Sequence, residues 1–141
     1  MMSEKNSNNI KTPAKAGILG WPVTHSRSPL IHDYWLKTHS IDGSYEKLPA
    51  TSEDFERVVM GLVAAGYAGA NVTAPHKEAA FELADVADTN AARLRAANLL
   101  VFKGGDIHAA NTDGYGFLQS LRGGADEPEI DKSWSTNPVA L

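Results

Sequence analysis

A three-layer α/β sandwich, with a mostly parallel mixed sheet flanked by helices, is the fold class predicted by three observations. Short apolar runs alternate with longer segments whose apolar residues recur at helical spacing. Those runs end in glycine or in polar turns, as central strands do. One pair of runs, Asn98 to Phe102 and Asp106 to Ala110, is joined only by a turn carrying Gly104-Gly105, too short for a crossover helix. That pair is therefore expected as an antiparallel hairpin inside the otherwise parallel sheet. The 141 residues suffice for one domain, which at this size buries about 68–70% of the surface its unfolded chain exposes.

Lys15 to Gly20 reads as the first central strand, and Trp21 to Arg27 as a loop. In Ser28-Pro29-Leu30-Ile31-His32 the serine is placed as N-cap and the proline as N1 of a helix running to about Ser40, because proline lacks an N–H that this position cannot use. Leu30, Ile31, Tyr34 and Trp35 are its expected buried stripe. Ser44 to Leu48 is a second strand. Thr51 or Ser52 caps the next helix, with Glu53 and Asp54 in its first turn and Phe55, Val58, Val59 and Leu62 as its apolar stripe up to Gly66. A third strand, Ala68 to Val72, leads through a polar turn into a helix expected to start at Pro75 and to continue through Ala79, Ala80, Phe81, Leu83 and Ala84. Asp88 caps a short helix reaching Leu94. After the hairpin, Asp113 is the natural cap of a last helix bearing Tyr115, Phe117, Leu118 and Leu121.

The termini read differently. Residues 1–14 are rich in Asn, Ser and Lys and are expected to be a disordered tail, without the apolar core of a signal peptide. Gly123 to Asn137 is polar and rich in Gly, Pro and acid, the composition of a linker, and Pro138 to Leu141 resembles the beginning of a further strand. Residues 15–122 are thus the expected folded domain.

Net charge of -4 and a pI near 5.7 leave no electrostatic footprint for nucleic acid, and no basic run marks a membrane surface. Small molecules or proteins are the expected partners. The chain has no cysteine, which excludes disulfides and thiolate chemistry and is compatible with a cytoplasmic location. None of its five histidines stands at the helical i, i+4 metal spacing, and no metal site is expected. The sequence leaves the oligomeric state open, a homodimer being one option.

Three strand ends carry polar clusters: His25, Ser26 and Ser28; Asn71, Thr73 and Lys77; Asn111, Thr112 and Asp113. In a parallel sheet the carboxyl ends share one edge, so the clusters can converge on one crevice. Hydroxyls, amides, one ammonium and one carboxylate suit a polyhydroxylated acid, each of whose hydroxyls needs a donor and an acceptor. Lys77 is the unusual member. In a helix's first turn the macrodipole disfavours an ammonium, by about 0.3–1 kcal/mol. From spacing alone, however, Ser28 and Asp113 read as caps, Asn71 and Thr73 as turn residues, and Lys77 equally as a solvated surface lysine or a ligand contact.

The segments Gly20 to His32, Gly69-Ala70-Asn71-Val72-Thr73-Ala74-Pro75-His76-Lys77 and Asn111-Thr112-Asp113-Gly114-Tyr115-Gly116-Phe117 resemble, in order and spacing, the signature motifs of the substrate-binding domain of the shikimate dehydrogenase family. Ala96-Ala97-Asn98 is a fourth, weaker match, with Leu99 where the family usually has threonine. The resemblance implies substrate contacts at Ser26, Ser28, Thr73, Lys77, Asn98 and Asp113, with Asn71 in support. It implies Lys77 and Asp113 as the catalytic pair, shikimate and 3-dehydroshikimate as ligands, and NADP as cofactor. The resemblance also implies an NADP-binding Rossmann domain following the linker, and no Gly-x-Gly-x-x-Gly occurs in this chain. The chain is accordingly expected to be the substrate-binding half of an NADP-dependent oxidoreductase of aromatic amino-acid biosynthesis, without hydride transfer of its own. A self-standing hydroxy-acid binding module, a domain acting on quinate, and a scaffold with a vestigial site are the alternative readings.

Overall fold

A computed structural model of the chain describes residues 12–123. In order the elements are β1 (Ala14–Gly20), α1 (Ser28–Thr38), β2 (Gly43–Pro49), α2 (Phe55–Ala64), β3 (Gly69–Val72), α3 (Lys77–Leu83), β4 (Val86–Ala87), α4 (Thr89–Leu94), β5 (Leu99–Lys103), β6 (Asp106–Ala110) and α5 (Asp113–Gly123). The sheet order is β2-β1-β3-β5-β6-β4. β1 runs parallel to β2 and β3, and β4 parallel to β6, whereas β5 is antiparallel to both of its neighbours. The expected mixed, mostly parallel sheet is therefore present, with β5, the first arm of the hairpin, as its reversed member. Ala14 opens β1, and Gly123 closes α5. The tail before residue 12 and the linker and apolar end after Gly123 lie outside the described residues.

Strand alternation divides the core in two. Leu19, Ala70, Val72, Leu100 and Ala109 point to one side, where Phe55, Val59 and Leu62 of α2 and Ala80 of α3 complete a continuous apolar cluster. On the other side Ile18, Val23 and Tyr45 form a small second cluster, and α1 lies over β2 and β1. Among the described residues every fully buried side-chain N or O atom has a hydrogen-bond partner.

Several local expectations are corrected. α1 buries none of its residues, and Leu30, Ile31, Tyr34 and Trp35 are exposed. Its half-buried positions are instead Ser28, Pro29, His32 and Leu36, so the polar-edged side of the helix faces the narrow β1–β2 surface. Arg27, not Ser28, occupies the α1 cap position, and no side chain caps the helix. Thr51 does accept a hydrogen bond from the Asp54 N–H at 3.3 Å, but within a preceding turn. Asp54 is the cap position of α2, and Glu56 is the acid of its first turn. Pro75 lies in a turn closed by the His76 N–H donating to Thr73 O at 3.1 Å, and α3 begins at Lys77 after His76. The Asp88 cap is as expected, its carboxylate accepting from the Ala91 N–H at 2.7 Å.

Candidate functional site

The sheet brings the polar clusters to one edge. β1, β3 and β6 all end there, and β5, being reversed, starts there. Ser26 and Ser28 follow β1, Asn71 lies in β3 and Thr73 follows it, Lys77 opens α3, Asn98 immediately precedes β5, and Asp113 opens α5 after β6. Backbone bonds lock these ends together. The Thr73 N–H donates to Leu19 O at 2.9 Å, Val72 N–H to Asn98 O at 2.8 Å, Ala97 N–H to Lys77 O at 2.8 Å, and Asn98 N–H to Ala110 O at 3.1 Å. Close approach matters here. A Cβ at Gly20 would stand 2.5 Å from the Thr73 methyl group, and one at Gly69 would stand 2.3 Å from Leu100 O. Glycine at position 20 lets the turn after β3 close on the end of β1, and Gly69, at the opposite end of β3, lets that strand pack on the β5 backbone.

One group of site residues is wired directly. Lys77 Nζ donates to Asp113 Oδ2 at 2.7 Å. The other carboxylate oxygen accepts from Asn98 Nδ2 at 2.8 Å, and the same amide donates to Thr112 Oγ1 at 2.9 Å. Asn98 Oδ1 accepts the Thr112 N–H at 3.0 Å, which fixes the orientation of the amide. Below them, buried Asn111 accepts the Asp113 N–H at 3.0 Å and donates to Ala96 O at 2.9 Å. Asp113 therefore sits in the first turn of α5 and does not cap it; its carboxylate turns to Lys77 and Asn98. The Lys77 and Asp113 side chains keep 38% and 50% exposure, open enough for a ligand to reach both.

The second group lies over β1 to β3. The Ser28 N–H donates to Ser26 Oγ at 3.3 Å. Asn71 turns away from the main core, and its Oδ1 accepts from the Tyr45 phenol at 2.8 Å. Burial pushes the Tyr45 phenol up from 10.0 to about 12, while hydrogen bonding with the Ser28 side chain offsets part of that rise. No side-chain hydrogen bond joins this group to the Lys77 group among the described residues. Thr73 stands between them, half-buried on the turn after β3.

Tyr45 and His76 are contributors that the polar clusters did not single out, and Thr112 of the third cluster gains a defined role. Tyr45 reaches the site from β2, and its signal is strand alternation, which turns it inward and obliges its hydroxyl to find a partner. Thr112 holds the Asn98 amide. His76 is 1% exposed, and its ring nitrogen Nε2 donates to Ala50 O at 2.6 Å while the ring stacks on Phe55 at 4.7 Å. It occupies the α3 cap position, one residue before Lys77. Among the described residues no group of three or more His, Cys, Asp or Glu could hold a metal ion. The Gly104-Gly105 turn is the hairpin bend between β5 and β6, and no strand end described carries a glycine-rich turn that fits a dinucleotide.

A sheet covered by helices, with hydroxyls, amides, an ammonium and a carboxylate gathered at one edge, defines an α/β domain with a polar small-molecule site. The chain belongs to the shikimate dehydrogenase substrate binding domain family, whose model matches residues 18–100. It is 50% identical over 108 residues to the NADP(+) shikimate dehydrogenase of Paracoccus denitrificans, covering 76% of this chain and 38% of that protein. It is 52% identical over 107 residues to the corresponding protein of Acidiphilium cryptum, covering 76% and 39%. The chain therefore spans about two fifths of the length of these relatives. Among solved structures, it is similar to an Ael1 enzyme from Pseudomonas putida, with a TM-score of 0.77 and 37% identity over 82% of this chain and 42% of that one. It is also similar to the Thermus thermophilus shikimate 5-dehydrogenase in complex with shikimate, with a TM-score of 0.75 and 33% identity over 79% and 42%. No helix among the described residues is long and apolar enough to cross a membrane.

Proposed function

We propose that this chain is the substrate-binding half of an NADP-dependent shikimate dehydrogenase that reduces 3-dehydroshikimate to shikimate in the cytoplasm, and that it transfers no hydride by itself. The observation that carries this reading is the Lys77–Asp113 pair at 2.7 Å with Asn98 on the second carboxylate oxygen, at the edge where the hydroxyl-bearing residues also stand. NADPH supplies the hydride in such a reaction. The residues described do not fit a dinucleotide.

What these residues serve is the substrate and its proton. Reduction of a ketone leaves a developing alkoxide, which needs a nearby positive charge and a proton. The Lys77 ammonium supplies both. It donates a proton to the new hydroxyl oxygen in reduction, and as the neutral amine it accepts that proton back in oxidation. Asp113 holds the ammonium in place through Oδ2, while Asn98 and Thr112 hold Asp113. Ser26 and Ser28 fix the ligand's carboxylate at the positive end of the α1 dipole. Asn71 and Thr73 complete the hydroxyl contacts.

The chain itself is expected to bind shikimate weakly. Calorimetry and amide spectra at millimolar shikimate test this, with shifts expected around Ser26, Thr73, Lys77 and Asp113; no heat and no shift reject the reading. In a protein where a nucleotide-binding half completes the chain, Lys77→Ala is expected to lower kcat by about 10²–10⁴-fold with a far smaller change in ligand affinity. Equal loss of both would make Lys77 a binding contact only.

A further inference from the structure

Tyr45 is used by none of the steps above, yet it is 7% exposed and ends on a residue that is. Its phenol donates to Asn71 Oδ1 at 2.8 Å. An asparagine amide presents oxygen on one side and N–H on the other, and the partner it meets decides which side faces a ligand. With Oδ1 held against the phenol, the Nδ2 group is the end left for the crevice, and among the described residues it has no acceptor. The ring itself is held on its other side. His32 stacks on Tyr45 at 3.8 Å between centroids and 7° between planes. The His32 ring is tied in turn to the start of α1, since Nδ1 lies 2.8 Å from Ser28 O and a carbonyl can only accept. Strand β2, helix α1 and strand β3 thus meet at one phenol.

We propose that Tyr45 is a positioning residue of the substrate site: it fixes Asn71 so that the amide offers N–H donors, not its oxygen, to an oxygen of the bound hydroxy acid. The inference rests on the proposed function for its ligand, but its geometry is independent of it. The phenol is suited to the task because burial keeps it protonated, hence a donor, well beyond neutral pH. A ligand oxygen facing Asn71 is then met by a donor, and an analogue that places an N–H donor at that point is disfavoured.

Tyr45→Phe removes the hydroxyl and keeps the ring and its stack on His32. Two readouts on the 141-residue chain test the proposal. First, the Asn71 side-chain NH2 signals in 15N-edited spectra are expected to move and to lose their order in Tyr45→Phe; unchanged signals overturn the proposal whether or not shikimate binds. Second, shikimate affinity is expected to fall about three- to ten-fold, the size of one hydrogen bond. In an Asn71→Ala background the same substitution is expected to change affinity by less than about two-fold, because the effect passes through the amide. An equal loss in both backgrounds would show a general structural role and overturn the proposal. If the parent chain binds no shikimate, the functional reading fails, and the Asn71 signals still decide the role of Tyr45.

Discussion

Around Lys77 four polar side chains are bonded to one another, whereas around Asn71 the polar groups are bonded to a buried aromatic ring. The first group is charged and open, with Lys77 and Asp113 about half exposed. An exposed ion pair contributes about 0–1 kcal/mol to stability, so its geometry is not explained by a need to hold the fold together. The second group is neutral and doubles as packing, since Tyr45 belongs to the small core beneath α1. Function and stability should separate cleanly on the Lys77 side and remain entangled on the Tyr45 side.

The largest expected effect is on the entangled side. Tyr45→Ala deletes a buried ring and is expected to cost about 3 kcal/mol, in the range of large aromatic truncations, seen as a lower urea midpoint. A loss below about 1 kcal/mol would show that α1 contributes little and would erase the contrast. Alkaline pH probes the same ring more gently. Below pH 10 the phenol is neutral folded and unfolded, so its full contribution is present. As pH rises from 10 to about 12 the unfolded chain ionises first and stability is lost. Tyr45→Phe is expected to flatten that loss. Tyr67, raised chiefly by its hydrogen bond with Glu46 and also by its burial, is present in both proteins and cancels in the comparison.

On the wired side, Asn98→Ala is expected to cost about 1–2 kcal/mol, since it removes two donors and the acceptor of the Thr112 N–H. Hydrogen exchange of that amide measures the change directly, and faster exchange confined to Thr112 and the first turn of α5 is the expected pattern. Exchange spreading into β5 and β6 would instead make Asn98 a core element, and the two sides of the crevice would no longer differ.

Much of this arrangement was legible before the fold was known, and the exceptions have physical causes. The strand-helix order and the reversed hairpin follow from periodicity and the glycine pair, and the Asp88 cap from its position. β4 has two residues, too few to show a period. The face of α1 was misread because its apolar residues are exposed, and the surface under it is narrow and partly polar, so tertiary contact overrode the pattern. Asp113 and Ser28 looked like caps because capping uses the same polar side chains at the same helix ends; the contacts of Asp113 with Lys77 and Asn98 set it apart, and Ser28 falls one residue beyond the cap position. Tyr45 and His76 lie outside the polar motifs or are hidden within them, and their roles depend on partners 26 residues away in each case.

The smallest expected change in stability belongs to Lys77. Lys77→Met keeps most of the stem and removes the charge, leaving Asp113 half exposed with water and Asn98 to solvate it. The unfolding free energy is expected to change by less than about 1 kcal/mol, and that difference should shrink further in high salt, where exposed pairs are screened. The same substitution removes the proposed proton donor and the charge that would face the substrate's reacting oxygen. A stability loss above about 2 kcal/mol, insensitive to salt, would mean that the pair behaves as a buried bridge. Lys77 would then owe its place to the fold and not to chemistry.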